Sequence, residues 1–384
     1  MITSGIFFKN FKKKKELSTL KKKLNSILKE NNYIIQSLSS NYRDSFDKKK
    51  IGRFKKFLNY RIIGMGGSSL GTQAIYDFLS HKIKKNFSFL NNLQPNLKNN
   101  EKKKYLNLIV SKSGNTIETI ANSNIYIKKK DQNIFITENK KNYLHDLAQN
   151  LKADIIHHNN FIGGRYSVLS EVGMLPAELM GLNSSKFRQL NNLVNNKKYL
   201  NALLSNVSST LYFLKKKKYN SIILNYDNRS KNLFSWYQQL VAESLGKNNR
   251  GLLPIISNMP KDNHSVMQLY LDGFKNNFYT FFYTHDKNSP KIINKTILSS
   301  KNYIKNKNLS NITYAQKIAT EIVFRKKNIP FRSIEIKKRD EKTLGELFTF
   351  FILETILLGK ALKLNPYDQP AVELIKKETK KILV

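Results

Sequence analysis

The sequence predicts an α/β protein of two domains, each built on a buried parallel sheet flanked by helices. Three observations carry this. From Tyr60 onward short apolar runs recur, each followed by a glycine or serine turn and then a stretch with helical spacing. The rhythm gives way to a mainly helical region around residues 166–214 and then restarts. At 384 residues, with 40% hydrophobic and 11% aromatic content, the chain is long enough for two such units.

Taken in order, residues 1–55 read as a lysine-rich helical lead-in, with Leu17, Leu20, Leu24 and Leu28 at helical spacing. A first domain is expected over 56–185, with strands at Arg61–Ile63, Leu106–Val110, Asn133–Thr137 and Ile155–His157. A second is expected over 186–384, closing with C-terminal helices and carrying strands at Ser221–Tyr226, Leu252–Ile256, Phe278–Tyr283 and Phe331–Ile336. Leu233–Leu245 and Ala315–Arg325 read as helices between those strands. The most apolar run, Leu347–Gly359, is too short to span a bilayer and holds Glu354, so a buried helix is expected and no membrane partner.

Composition removes several classes of chemistry. With no cysteine there is no disulfide, thiolate metal site or cysteine nucleophile. The opening MITSGIFFKNFKKKK lacks the layout of a secretory signal, so the cytoplasm is the expected compartment. A net charge of +40 would by itself favour a polyanionic partner. The lysines, however, come in scattered clusters beside asparagine-rich stretches: Lys12–Lys15, Lys102–Lys104, Lys128–Lys130 and Lys215–Lys218. That distribution reads as solvated surface, with no specific nucleic-acid partner, and it would help recruit an anionic substrate.

Six stretches carry candidate chemistry. Gly64-Met65-Gly66-Gly67-Ser68-Ser69-Leu70-Gly71 follows a strand and opens a helix, a turn that suits an anion or is simply structural. No acidic strand end follows at dinucleotide spacing. Ser111-Lys112-Ser113-Gly114-Asn115-Thr116 repeats the arrangement, with hydroxyls around a helix start that could meet phosphate oxygens or merely cap the helix. Two such turns on neighbouring parallel strands would converge on one crevice, which points to a phosphorylated small molecule.

Arg165, in Gly163-Gly164-Arg165-Tyr166-Ser167, offers a permanently charged fork for an oxyanion. Glu243 lies near the end of the helical WYQQLVAESLGK. His264 follows a polar turn in Lys261-Asp262-Asn263-His264 and is a proton handler by type. In Asp368-Gln369-Pro370-Ala371-Val372-Glu373-Leu374-Ile375-Lys376, Asp368 reads as a helix N-cap, with Gln369 and Lys376 on one helix face.

Together GMGGSSLG, SKSGNTIET, GGRYSVLSEVGMLP, QQLVAESLGK, DNHSVMQL and DQPAVELIK resemble, in order, the signature stretches of the phosphoglucose isomerase family, over about residues 60–380. The resemblance is to a short bacterial-type member. It implies two sugar-isomerase (SIS) domains of flavodoxin-like topology and a homodimer with shared active sites. It also implies reversible isomerisation of glucose 6-phosphate and fructose 6-phosphate, in glycolysis and gluconeogenesis, with sugar phosphates as the small-molecule partners and no cofactor or metal.

By the same resemblance, Ser68, Ser111, Ser113 and Thr116 contact the phosphate, with Gly67 and Lys112 nearby. Glu243 matches the base, Arg165 the group beside the cis-enediolate, and His264 the ring-opening residue. Gln369 and Lys376 match its substrate-binding and ring-opening partners. Pro370, Ala371 and Lys261 depart from the family pattern without removing a reacting group. A non-catalytic sugar-phosphate regulator and an isomerase that also accepts mannose 6-phosphate are the alternatives.

Overall fold

The computed structural model describes residues 1–11, 17–95, 104–128, 131–286, 288–292 and 299–384. Lys12–Lys15, Lys102, Lys103, Lys129 and Lys130, from the clusters named above, lie outside these residues. Ten strands are formed among the described residues: β1 (Ile6–Lys9), β2 (Asn59–Ile63), β3 (Asn86–Leu90), β4 (Leu106–Val110), β5 (Gln132–Thr137), β6 (Asp154–His157), β7 (Asn220–Asn225), β8 (Leu253–Asn258), β9 (Asn277–Thr284) and β10 (Phe331–Ile336).

They make two sheets. The first has the order β3-β2-β4-β5-β6 and is parallel throughout. The chain steps outward from β2 to β3, then returns to the other side of β2 with β4. This is the flavodoxin-like order, with its switch point between β2 and β4. The second sheet repeats the pattern as β8-β7-β9-β10, and β1 is added at its far edge.

Among the described residues β1 is the one antiparallel strand, with Ile6 opposite Ile336. The sequence reading gave residues 1–55 helices alone, because IFFK is too short to show a period. Its pairing with β10 closes an edge that would otherwise be open. β3 was missed because NFSFL interleaves Phe87, Phe89 and Leu90 with the polar Asn86 and Ser88 and so shows no continuous apolar run.

Side-chain alternation sorts the core into three layers. Ile62 and Leu108 from one sheet and Ile223, Phe282 and Ile334 from the other point into a shared helical layer built around Trp236, Phe348 and Leu353. Ile63, Ile109 and Phe135 face outward onto the helix containing Leu144 and Ala148. Ile222, Leu224, Tyr279 and Phe281 do the same against Phe324. The apolar run Leu347–Gly359 is buried throughout, inside the helix Glu341–Ala361. Its Glu354 meets Arg332 of β10 at 2.6 Å, so the interior charge is paired. Among the described residues no helix is long and apolar enough to cross a membrane.

Candidate active site

The turns after β2 and β4 lie side by side because Ile63 pairs with Ile109. Both glycine-serine turns therefore open at the carboxyl ends of adjacent strands, on the switch point of the first sheet. After β4, Ser111 is buried and its hydroxyl meets that of Thr116 at 2.9 Å. Thr116 stands at the N-cap of the helix Ile117–Tyr126, yet its side chain makes no capping bond. The first amides of that helix are left without a side-chain acceptor, an arrangement that favours an anion. Ser113 is exposed and accepts from the Asn115 amide at 3.3 Å.

Lys112 approaches Glu138 at 3.9 Å. Burial lowers its pKa from the usual lysine value, Glu138 opposes that, and Lys140 and Arg165 lower it further. Lys112 and Arg165 are therefore within electrostatic reach of each other. The turn after β2 meets the Arg165 turn backbone on backbone, since any side chain on Gly67 would collide with Gly164. Ser68 is half-buried in the short 3-10 turn Gly66–Ser68.

Arg165 is buried, and every one of its five N–H donors has an acceptor. Nε donates to Ser244 Oγ at 2.8 Å. One terminal nitrogen donates to Gln369 Oε1 at 2.8 Å and to Glu243 Oε2 at 3.4 Å. The other donates to the Pro366 and Asp368 carbonyls at 2.9 and 3.0 Å. Three segments distant in sequence are thus gathered on one guanidinium: the 163–169 turn, the helix Lys231–Leu245, and the loop before the last helix.

Glu243 keeps a quarter of its side chain accessible beside this cation. Its other oxygen accepts from Gln239 Nε2 at 2.8 Å, one turn earlier on the same helix. Gln239 was not found from sequence, although its four-residue spacing to Glu243 was available as a signal. It also packs under the first glycine turn. A side chain at Gly66, where φ is +53°, would meet Gln239 Nε2 at 2.7 Å. Tyr166 and Ser244 were likewise not singled out. The Tyr166 hydroxyl bonds Ser244 Oγ at 2.8 Å and donates to the Pro366 carbonyl at 2.9 Å.

Around the C-terminal segment the structure differs from the sequence reading. The last helix is Val372–Leu383, capped at Ala371 without a side-chain bond, so Asp368 is not an N-cap. Asp368 instead receives Lys247 Nζ at 2.5 Å. That hydrogen bond holds its carboxyl group below the usual aspartate range. Gln369 precedes the helix and reaches Arg165, whereas Lys376 lies within it, exposed and paired with Glu373 at 2.6 Å. The two do not share a helix face. His264 closes the short 3-10 turn Lys261–His264 after β8 and is exposed. No described residue hydrogen-bonds its side chain. The structure thus brings Gly67, Ser68, Ser111, Lys112, Thr116, Arg165, Glu243 and Gln369 to one region, while His264 and Lys376 stand apart from the Arg165 cluster in contacts. Among the described residues no group of three or more His, Cys, Asp or Glu side chains could hold a metal ion.

Two doubly wound parallel sheets with an anion-type turn pair at a switch point and a buried arginine beside it define a protein of the sugar-isomerase fold class. Residues 34–252 match the model of the phosphoglucose isomerase family, and the chain belongs to that family. It is 33% identical over 362 residues to the glucose-6-phosphate isomerase of Methanocaldococcus jannaschii, covering 88% of each chain. A Thermus thermophilus protein described only as hypothetical has a similar structure, with a TM-score of 0.82, 23% identity and coverage of 96% of this chain and 94% of the other. The glucose-6-phosphate isomerase of Chlamydia trachomatis is similar at a TM-score of 0.70 and 19% identity, covering 88% of this chain and 72% of the other.

Proposed function

We propose that the cluster of Arg165, Glu243 and Gln369 is the isomerisation centre of this enzyme and that the paired serine turns hold its substrate's phosphate. The chain is a glucose-6-phosphate isomerase, interconverting glucose 6-phosphate and fructose 6-phosphate. The observation that carries the site assignment is the accessible Glu243 carboxylate lying against a buried, fully hydrogen-bonded guanidinium.

The roles follow from those positions. Glu243 takes the proton from carbon 2 of the open sugar and returns it to carbon 1, while Arg165 stabilises the negative charge of the cis-enediolate between the two transfers. The 3.4 Å bond from Arg165 to Glu243 is the longest of its five, and it is the one a substrate oxygen would compete for. Ser68, Ser111, Ser113, Thr116 and the free amides of the Ile117–Tyr126 helix anchor the phosphate, so that binding energy remote from the reacting carbons holds them against Glu243.

His264 and Lys376 open the sugar ring, and we assign them to a homodimer in which subunits share sites. Support comes from their exposure in the single chain and from the last helix, whose Leu374, Ile375, Ile382 and Leu383 are 65%, 70%, 83% and 70% exposed. The cytoplasm is the compartment where this enzyme would find both sugar phosphates. The test is a coupled assay for glucose 6-phosphate formed from fructose 6-phosphate by the purified chain with no metal added. Turnover is expected, and its absence with a folded protein would overturn the reading.

A further inference from the structure

The turn that delivers Arg165 is fixed from behind by a buried cluster that the isomerisation steps leave unused. His158 follows β6 and is 3% exposed. Its Nδ1 lies 2.8 Å from Glu171 Oε1 and its Nε2 3.1 Å from the carbonyl oxygen of Ile162. Ile162 immediately precedes Gly163-Gly164-Arg165. Its own amide donates back to the Asn159 carbonyl at 3.1 Å, so the segment His158–Ile162 is a closed turn with the imidazole as its clasp.

The proton count on that clasp is constrained by its partners. A backbone carbonyl can only accept. Glu171 already accepts from the Asn159 amide at 2.7 Å and from the Tyr42 hydroxyl at 3.0 Å, and as a carboxylate it too can only accept. A neutral imidazole has one N–H and could serve one of these acceptors. With an acceptor at each ring nitrogen, both nitrogens donate and the ring is an imidazolium.

Its surroundings fit that charge. Glu171, at the start of the helix Glu171–Leu179, is the counter-ion. Burial works against its ionisation, yet hydrogen bonds from His158 and the Asn159 backbone hold its carboxyl group below the usual range. The other groups facing the pair are Tyr42, Asp44 and Arg188. Burial, then Glu171, keeps the Tyr42 phenol well above its ordinary range and so protonated. Asp44 is neutralised by Arg188 at 2.5 Å, and Arg188 also donates to the Leu169 carbonyl. Glu171 is therefore left as the counter-charge of His158.

We propose that His158 is a positioning residue for isomerisation: as an imidazolium clasped between Glu171 and the Ile162 carbonyl, it sets the entry to the Gly163–Arg165 turn and so the guanidinium against Glu243. The inference rests on Arg165 stabilising the enediolate. Without the second ring proton, a bare ring nitrogen faces either the Glu171 carboxylate or the Ile162 carbonyl oxygen at a site closed to solvent, and the turn relaxes. Because Arg165 acts on charge that develops only along the reaction, the loss falls on kcat and not on KM.

Two measurements test this on the full-length protein. Nitrogen-15 NMR of histidine-labelled protein, with the His158 resonances assigned by their absence from His158→Gln, should show both ring nitrogens protonated at neutral pH. A neutral-imidazole signature would overturn the proposal. In the coupled assay, His158→Gln and His158→Phe should lose about tenfold in kcat for fructose 6-phosphate with KM within about twofold. Parental kcat in His158→Gln would sink the positioning role, and that variant decides the matter if His158→Phe does not fold. Full kcat in Arg165→Lys would overturn it along with the role of Arg165; this failure is recognised by an imidazolium at His158 in the same protein.

Discussion

The Gln239 side-chain amide donates to Glu243 Oε1 at 2.8 Å across one turn of the Lys231–Leu245 helix. With Arg165 on the other carboxylate oxygen, Glu243 is oriented from both sides and keeps part of its surface open. Glu243→Gln should leave the fold intact and reduce kcat by about a hundred- to ten-thousandfold, because the amide has the same shape and cannot accept the proton. Gln239→Met keeps the volume and removes the donor. Its kcat should fall about ten- to a hundredfold, the scale of a hydrogen bond to a charged group. Turnover near the parent value in the purified Glu243→Gln protein would remove Glu243 from the role of base.

The Ser111 and Thr116 hydroxyls bond each other at 2.9 Å at a helix start with no side-chain cap. Removing both should leave stability nearly unchanged while weakening phosphate binding. Ser111→Ala with Thr116→Ala is expected to raise the inhibition constant of a sugar-acid phosphate by about ten- to a hundredfold, one hydrogen bond to a charged group being worth about 1.5–3 kcal/mol. Some loss in kcat should accompany this, since the anchored phosphate also positions the reacting carbons. Unchanged inhibition would move the phosphate elsewhere.

Glu335, on β10, is surrounded by hydrogen-bond partners: the ammonium groups of Lys317 at 2.7 Å and Lys337 at 2.9 Å, and the His285 ring at 3.0 Å. Burial by itself would raise its pKa, but hydrogen bonds from His285, Lys317 and Lys337 outweigh it and hold the group far below its usual 4.5. A carboxylate depressed in the folded state stabilises that state above its unfolded pKa. The stabilisation is lost as pH falls below about 4.5 toward the folded value. Glu335→Gln should cost about 1–3 kcal/mol at pH 7. It should also flatten the loss of stability between about pH 4.5 and pH 3, which urea denaturation at a series of pH values would measure. An acid dependence as steep as the parent's would contradict the assignment.

His264 is exposed and belongs to no cluster within its own chain. If it serves the partner's site, mixing Glu243→Gln with His264→Ala subunits, each nearly inactive alone, creates hybrid dimers with one doubly damaged and one intact site. Random reassembly makes half the dimers hybrids and half of their sites intact, so about a quarter of the parent activity should return. Mass-tagged chains establish that exchange took place. Exchange without recovered activity would rule out the shared site.

What the sequence determined by itself is what is encoded locally. The alternation of apolar runs with glycine or serine turns specified parallel sheets, because a strand buried on both faces must be apolar throughout and must leave through a turn. The helical spacing of Leu20, Leu24 and Leu28 and the apolar run Leu347–Gly359 likewise marked the helices Ser18–Lys29 and Glu341–Ala361, although Leu17 stands before the first of these and Ile27, not Leu28, completes its buried face. Also legible were the two anion-type turns, whose residues stand next to one another in the chain.

Tertiary structure alone decided the rest. Nothing local in IFFK announces that β1 will pair with β10, and the pairing exists because the second sheet has an open edge there. Only folding carries Gln369 to Arg165, more than two hundred residues away, or sets Gly67 against Gly164 so that the first glycine turn and the arginine turn meet. Asp368 had the sequence of an N-cap, but Lys247 captured its carboxylate, since a cation 2.5 Å away holds it more strongly than neutral amides would. His158 and Glu171 are an ordinary histidine and glutamate until both ring nitrogens are seen to face acceptors. A side chain's type is written in the sequence, whereas its protonation and its aim depend on what the fold places around it.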